Sequence, residues 1–214
     1  MYHPFGISWI HFSKILGTNL GNFVTDDDRW FGIFSKFTKT LNNFKQRHIS
    51  LRGKSYVINC LTSSKLWYVG STTLLPTHYL FQFNRVLFNF LWKSKSDPLN
   101  RNTVYLPFSK GGLNICNIEV KLQALYLKHI QFLVNDYSAK WCYFAKYWIG
   151  LSLRKHNKKL ASLLCPHSDY IPPFYQQCLN ALKLFEAKKT VICLVIFRLN
   201  RFTRPPWQMP FSHQ

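Results

Sequence analysis

The feature that most constrains this chain is a stripe of large apolar side chains that follows three consecutive aspartates. The stripe recurs at steps of three and four residues, which places its members on one face of an α-helix. Its members are Trp30, Ile33, Phe34, Phe37, Leu41 and Phe44. Asp26, Asp27 and Asp28 stand at the predicted helix start, where an Asp N-cap and negative charge are both favoured. The pattern predicts a long amphipathic helix that must bury its aromatic face.

Similar patterns farther along predict a mainly α fold, a helical bundle with one or two short β fragments. The first two dozen residues indicate a strand, a turn and a loop. Further helices are predicted at about 54–73, 78–92, 119–135, 138–149 and 174–187. Between them, residues 104–107 favour a short extended segment. Lys110-Gly111-Gly112 favours a tight turn, because glycine supplies the positive φ that such turns require.

The predicted helix at 54–73 has a weak pattern, since its serines and threonines lower its intrinsic helix propensity. We assign its stripe to Val57, Ile58, Leu61, Lys65 and Tyr68. The predicted helix at 78–92 is apolar around much of its circumference, which is typical of a buried helix.

The charge balance points to a polyanionic partner. The 214 residues include 28 Lys+Arg and 8 Asp+Glu, a formal net charge of +20. A field of this sign attracts polyanions, and nucleic acid is the default partner. An acidic membrane surface is the main competing partner. A third interpretation is a basic surface with no defined binding site. The late apolar run at 191–197 is far shorter than the ~20 residues that a membrane-spanning helix needs. We therefore expect no membrane partner.

The cysteines favour an intracellular protein, nuclear or cytoplasmic. Six cysteines are scattered without a CxxC pair, which fits neither a zinc module nor a disulfide-rich secreted domain. Cys165 and His167 are close in sequence, but two ligands do not make a zinc site. We expect reduced thiols and no metal.

Three stretches carry motifs in a fixed order. The first stretch reads SLRGKSYVIN at 50–59 and SKLWY at 64–68, the second reads FNFLWK at 88–93, and the third covers 106–115, with LP and KGGLNI. Together they resemble the region downstream of the palm in non-LTR (LINE-type) retrotransposon reverse transcriptases. That family has similar segments, LSLRGRALVIN…SKLWY, F-x-F-x-W-x-G-K and P-x-x-x-GGLGLP. Asn114 in the third stretch and Cys116 directly after it stand where the family has glycine and proline.

The resemblance implies a division of the chain. Residues 1–24 would be an end-of-palm-like strand and loop, because Ile15-Leu16-Gly17 and Leu20-Gly21 resemble the strand that closes the palm. Residues 25–135 would be a helical thumb-like region, 136–189 a further helical segment, and 190–214 an unmatched, irregular tail.

The resemblance also implies a truncated enzyme with no catalytic residues of its own. Two-metal polymerisation needs carboxylates that clamp two Mg²⁺ ions, which the family supplies from an aromatic-x-Asp-Asp box. Asp26-Asp27 is a near miss, since Val24 occupies the aromatic position and a helix follows. We expect no polymerisation by this chain alone, no cofactor in it, and Mg²⁺ in the missing palm.

What remains is binding to RNA and DNA. A thumb holds the template–primer duplex by its phosphates, which calls for Lys and Arg on a helical scaffold. The candidate contacts are Arg47, Arg52, Lys54, Lys65, Lys93, Lys95 and Lys110. Arg52 ranks first, because it lies at a predicted helix start, where backbone amides also favour phosphate. We interpret Gly53, Gly111 and Gly112 as backbone geometry, and Trp67 and Trp92 as core packing.

Other interpretations stay open at this level. The missing palm domain is a further candidate partner, and no small-molecule substrate is expected. The chain could instead be a protein-interaction or adaptor fragment derived from such an element, acting through exposed aromatics, or a non-functional relic. An independent enzyme would need an acidic or nucleophilic constellation that the sequence does not display.

Overall fold

The fold is given by a computed structural model. The residues that it describes are 13–15, 18–21, 24–93, 96–135, 139–153 and 171–187. They are mainly α-helical, as the sequence predicts. The chain divides into two compact units, Met1–Leu122 and Gln123–Gln214. The boundaries predicted after residues 24, 135 and 189 remain predictions, and the predicted tail at 190–214 lies outside the described residues.

The first described element of the first unit is a small antiparallel hairpin. Strand β1 (Ser13–Ile15) pairs with strand β2 (Thr18–Leu20) so that Ser13 faces Leu20. The Asn19 side-chain amide donates a hydrogen bond to the Asp28 carbonyl at 2.8 Å. This contact ties the hairpin to the start of the first helix.

Helix α1 (Asp26–Lys45) already includes Asp26 as its first residue, so none of the three aspartates is its N-cap. Its N-cap is Thr25, whose hydroxyl accepts a hydrogen bond from the Asp28 N–H at 3.2 Å. The Asp28 carboxylate in turn accepts from the Thr25 hydroxyl and the Thr25 N–H, at 2.7 and 2.8 Å. These bonds lower the pKa of Asp28. The prediction of an Asp N-cap was therefore wrong, since Thr25 provides the cap and Asp28 completes a capping box.

The aromatic face of α1 packs against helix α4 (Thr77–Trp92). The Phe83 ring lies edge-on to Phe37 and Phe34, with centroids 4.9 and 5.3 Å away. Trp30 is fully buried, and its indole N–H donates to the Leu74 carbonyl at 2.8 Å. Edge-to-face pairs of this kind add to the stability gained from burial. The stripe predicted on α1 thus forms the centre of the core.

Between α1 and α4 runs a segment of three successive helical pieces. They are α2 (Leu51–Tyr56), a π-helical turn (Val57–Thr62) and α3 (Ser64–Thr72). The helix predicted at 54–73 is therefore interrupted, and it begins earlier, where the Ser50 hydroxyl accepts from the Gly53 N–H at 3.2 Å.

The stripe predicted for this segment was partly wrong. Val57 and Ile58 are buried, but Lys65 is exposed and Leu61 and Tyr68 are each 46% exposed. Four buried residues instead lie in steps of four, Ile58, Thr62, Leu66 and Gly70, and Ser63 and Val69 are buried beside this line. In an α-helix a step of four over-rotates by about 40°. The wider π-helical turn absorbs extra residues, so this line keeps facing the core.

The chain then forms two short helical turns. The extended segment predicted at 104–107 is only half confirmed, because Val104 and Tyr105 belong to helix α5 (Arg101–Tyr105), which Asn100 caps by accepting from the Asn102 N–H at 2.9 Å. Leu106 and Pro107 are extended, as the residue before a proline prefers. After a 3₁₀ turn (Phe108–Lys110), Gly111 adopts a φ of +75°. This is the tight turn that the sequence predicts.

Helix α6 (Ile118–Val134) follows, and the second unit adds α7 (Lys140–Leu153) and α8 (Pro173–Ala187). In this unit the Phe174 ring on α8 lies edge-on to His129 and Tyr126, with centroids 5.4 and 5.8 Å away. His129 also contacts Trp141 at 5.5 Å. Among the described residues, every helix is too short or too polar to cross a bilayer.

Candidate nucleic-acid interface

Lys54, a predicted phosphate contact, lies inside the fold. Lys54 is only 7% exposed, and its ammonium group donates a hydrogen bond to the Leu91 carbonyl at 2.5 Å. Leu91 belongs to the last turn of α4, where carbonyls lack helical partners and a cation is favoured. Burial lowers the pKa of Lys54, and the nearby charge of Lys93 lowers it further. The interpretation of Lys54 as a surface contact is therefore wrong, and Lys54 instead ties the first stretch to the second.

Asn59 ties the first stretch to the third. Its side-chain N–H donates to the Asn114 carbonyl at 2.8 Å, and its side-chain oxygen accepts from the Cys116 N–H at 3.0 Å. One amide thus satisfies two backbone groups more than fifty residues away in sequence. Sequence reasoning missed Asn59, although a lone amide between apolar residues of a predicted helix was a usable signal.

Arg52, the leading candidate, is exposed and held by an aromatic ring. Its guanidinium carbon lies 4.7 Å from the centroid of Phe108, in the 3₁₀ turn of the third stretch. A guanidinium stacked on a ring keeps its N–H donors at the edge of its plane, where an anion can meet them. Lys110 is exposed in the same 3₁₀ turn. The structure thus brings Arg52 to the turn that carries Lys110.

The other predicted cations are distributed over the first unit. Arg47 is exposed, with its guanidinium carbon 4.9 Å from the Phe44 centroid. The Lys65 ammonium donates to the Thr40 hydroxyl and, at 3.4 Å, to the Lys36 carbonyl, so it links α3 to α1.

Two further candidates flank the end of α4. Lys93 is exposed, and its φ of +55° ends the helix. Lys95 lies outside the described residues. The five cations that remain on the described surface therefore do not all lie on one element.

The glycines of the motifs lie where a side chain would not fit or where backbone conformation favours glycine. A Cβ on Gly53 would collide with the Ile49 side chain, and one on Gly112 would collide with the Leu106 carbonyl. Gly111 has the left-handed backbone already described. Trp67 and Trp92 are only partly buried, so their packing is incomplete compared with that of Trp30.

The aspartates at the start of α1 are occupied by structural contacts. Asp26 pairs with Arg29 at 3.3 Å, and Asp28 caps the helix. Asp27 accepts a hydrogen bond from the Tyr79 hydroxyl at 2.8 Å. Burial, together with this bond, raises the pKa of Tyr79 to about 12. Within the described ranges no three His, Cys, Asp or Glu side chains are placed to hold a metal ion.

Comparison with known proteins gives one informative likeness. The chain is 30% identical, over 142 residues or 65% of its length, to the Transposon TX1 uncharacterized 149 kDa protein of Xenopus laevis. The chain spans about 9% of the length of that relative. This likeness supports a transposon-derived origin. No protein-family model and no solved structure matches the chain.

Proposed function

We propose that residues 25–135 are a thumb-like, nucleic-acid-binding part of a non-LTR retrotransposon reverse transcriptase. In this role the region binds the RNA–DNA template–primer through its phosphates. The observation that carries the proposal is that the three stretches meet at one helical segment, 51–72. Lys54 reaches the second stretch, while Asn59 and Arg52 reach the third. Stretches that resemble one family and also contact one another form a shared structural unit.

Arg52 is the residue that we assign to phosphate binding. Lys54 is engaged inside the fold and Lys65 is engaged by Thr40, whereas the Arg52 guanidinium is exposed and oriented by Phe108. Restricting a side chain before binding lowers the entropy lost when the contact forms. Lys110 is the nearest predicted cation in sequence to Phe108 and would extend the phosphate contact.

The proposal includes no catalysis by this chain alone. Polymerisation needs clustered carboxylates for two Mg²⁺ ions, and Asp26, Asp27 and Asp28 are instead committed to the start of α1. Mg²⁺ and the reacting groups would come from a palm domain, which we propose as the protein partner. We place this activity inside the cell, in the nucleus or cytoplasm, where reduced thiols persist.

Binding of the purified chain to a labelled RNA–DNA hybrid, followed by fluorescence anisotropy at two salt concentrations, tests the proposal. Arg52→Glu should weaken binding roughly tenfold or more, since it removes a charge-assisted hydrogen bond and adds repulsion. Arg85→Glu is the matched control, because it changes the net charge by the same amount. Arg85 is exposed on α4 and lies outside the three stretches.

The two variants separate the competing functions. Equal weakening by Arg52→Glu and Arg85→Glu would show that only net charge matters and would contradict a defined interface. Absence of binding at low salt, despite a net charge of +20, would instead support the protein-interaction or relic interpretation.

A further inference from the structure

Helix α7 in the second unit is built with two opposite faces. Its buried face carries small and aliphatic side chains at steps of three and four: Cys142, Ala145, Ile149 and Leu153. Its large exposed side chains are aromatic: Tyr143 is 69% exposed, Phe144 70% and Tyr147 39%. Tyr147 lies edge-on to Trp148, with ring centroids 5.0 Å apart. Packing against the described residues of the unit does not explain why positions 143 and 144 are aromatic.

The exposed residues form a continuous stripe with a lysine at its beginning. Lys140, Tyr143, Phe144 and Tyr147 are spaced by three and four residues, so they lie within an arc of about 100° around the helix. Lys140 is itself exposed. The stripe thus combines a cation with three ring faces along roughly two helical turns.

The charge balance of the described part of the second unit favours a polyanion over an acidic or neutral protein. The sequence of α7 contains no aspartate or glutamate. The Lys, Arg, Asp and Glu residues in the described part of the second unit are four lysines and one glutamate: Lys128, Lys140, Lys146, Lys183 and Glu186. Proteins bind single-stranded nucleic acid with exposed aromatic rings and nearby cations, because every base has a face that can stack on a ring.

We propose that this face of α7 binds single-stranded nucleic acid. Bases stack on Tyr143, Phe144 and Tyr147, and Lys140 neutralises a backbone phosphate. The inference does not depend on the function proposed for the first unit, since it rests on a different helix and on rings instead of motif residues. A base-paired duplex hides its base faces, so the surface discriminates single strands from duplexes.

The test uses the full chain and a fluorescein-labelled single-stranded RNA of roughly 12 nucleotides, within the size range of known single-strand sites. Three substitutions at one position separate stacking from simple apolar contact: Phe144→Ala, Phe144→Leu and Phe144→Trp. Alanine and leucine should weaken binding roughly 5- to 150-fold, whereas tryptophan should retain it. Phe81→Ala is the matched control, because Phe81 is 67% exposed on α4 and should leave binding unchanged.

Several outcomes would overturn the proposal. Leucine binding as tightly as tryptophan would show an apolar contact without stacking. Equal weakening by Phe81→Ala would show a general effect of exposed rings. Unchanged RNA binding in Phe144→Ala, with loss of self-association in sedimentation, would assign the face to protein contact. Because Phe144 is exposed, thermal unfolding of all three variants should match that of the original chain, and a folding defect would be detected there.

The same titrations keep this proposal distinct from the first. Arg52→Glu should weaken binding to the RNA–DNA hybrid and leave single-stranded RNA binding unchanged. Phe144→Ala should do the reverse. Loss of both ligands in both variants would mean one shared surface and would contradict a separate site on α7.

Discussion

The α1–α4 pair and the 51–72 segment are both helical, but they are held in the fold by different interactions. Between α1 and α4 the contacts are mainly ring against ring, with Phe83 at the centre of Trp30, Phe34 and Phe37. One hydrogen bond, from Tyr79 to Asp27, joins the same two helices. Along 51–72 long-range hydrogen bonds run from polar side chains to backbone groups, through Lys54 and Asn59. Both regions bury apolar residues, but the second also buries the polar side chains of Lys54, Ser55, Thr62 and Ser63.

The difference teaches where sequence patterns carry structural information. An aromatic stripe must be buried by something, so periodicity alone identifies its face. A buried lysine or amide is stable only if a partner is placed for it, and that partner lies 37 residues away for Lys54 and 55 for Asn59. Substitutions that remove side-chain volume should therefore destabilise the first region most, and substitutions that remove hydrogen bonds should destabilise the second region most.

The largest effect is expected in the aromatic core. Phe83→Ala should lower the free energy of unfolding by about 3–5 kcal/mol, since it removes a fully buried ring and leaves a cavity. Chemical denaturation measures this change. Phe81→Ala on the same helix is the control, and a surface position should change stability by no more than about 0.5 kcal/mol. Similar losses for both would mean that Phe83 is not at the centre of the core.

A smaller but clear effect is expected at Asn59. Asn59→Ala removes two hydrogen bonds and leaves the Asn114 carbonyl and the Cys116 N–H without that partner. The free energy of unfolding should fall by about 1–3 kcal/mol. Asn43→Ala, at an exposed position of α1, should be neutral or slightly stabilising because alanine favours helix. If the two variants were equally stable, Asn59 would not hold the third stretch in place.

The backbone of Asn114 provides a third test. Its φ is +52°, in the left-handed region that favours glycine, where the related motif has glycine. Asn114→Ala should cost about 1 kcal/mol, while Asn114→Gly should be neutral or stabilising. Thermal unfolding of the pair measures the difference. Equal stability of the two variants would mean that residue 114 does not need this conformation.

The smallest effect is expected at Tyr79, and it depends on pH. Tyr79→Phe removes the bond to Asp27 and should cost about 1 kcal/mol near neutral pH. The folded pKa of about 12 lies above the ordinary value of 10, so between these values the unfolded chain loses the proton first. Stability of the original chain should fall across pH 10–12, and its advantage over the variant should shrink. Parallel stability curves for both proteins would contradict this assignment.

Much of the fold follows from sequence because its signals are local. The stripe on α1, the helix at 78–92 and the glycine turn after Lys110 are each specified by neighbouring residues. The 51–72 segment is not, because the π-helical turn shifts which residues face inward and leaves Leu61 and Tyr68 exposed. The short helix α5 escaped prediction because its start depends on the Asn100 cap more than on any apolar period.

The candidate site was predictable in part. The motif and a predicted helix start made Arg52 the leading candidate, but its contact with Phe108 required the fold. Lys54 looked like a neighbouring surface cation, and no local signal distinguishes a lysine that reaches a helix end from one that reaches solvent. Cys116 stands where the related motif has proline, and the fold uses the N–H that proline lacks, since it donates to Asn59.

The central claim is that the 51–72 segment presents Arg52 to a phosphate backbone. The salt dependence of binding to an RNA–DNA hybrid tests this claim most directly. The logarithm of the association constant for an RNA–DNA hybrid should fall linearly with the logarithm of salt concentration. Arg52→Gln should reduce the steepness of that line by about one, the share of one phosphate contact, whereas Arg85→Gln should leave it unchanged. The same slope for Arg52→Gln and the original chain would contradict the account.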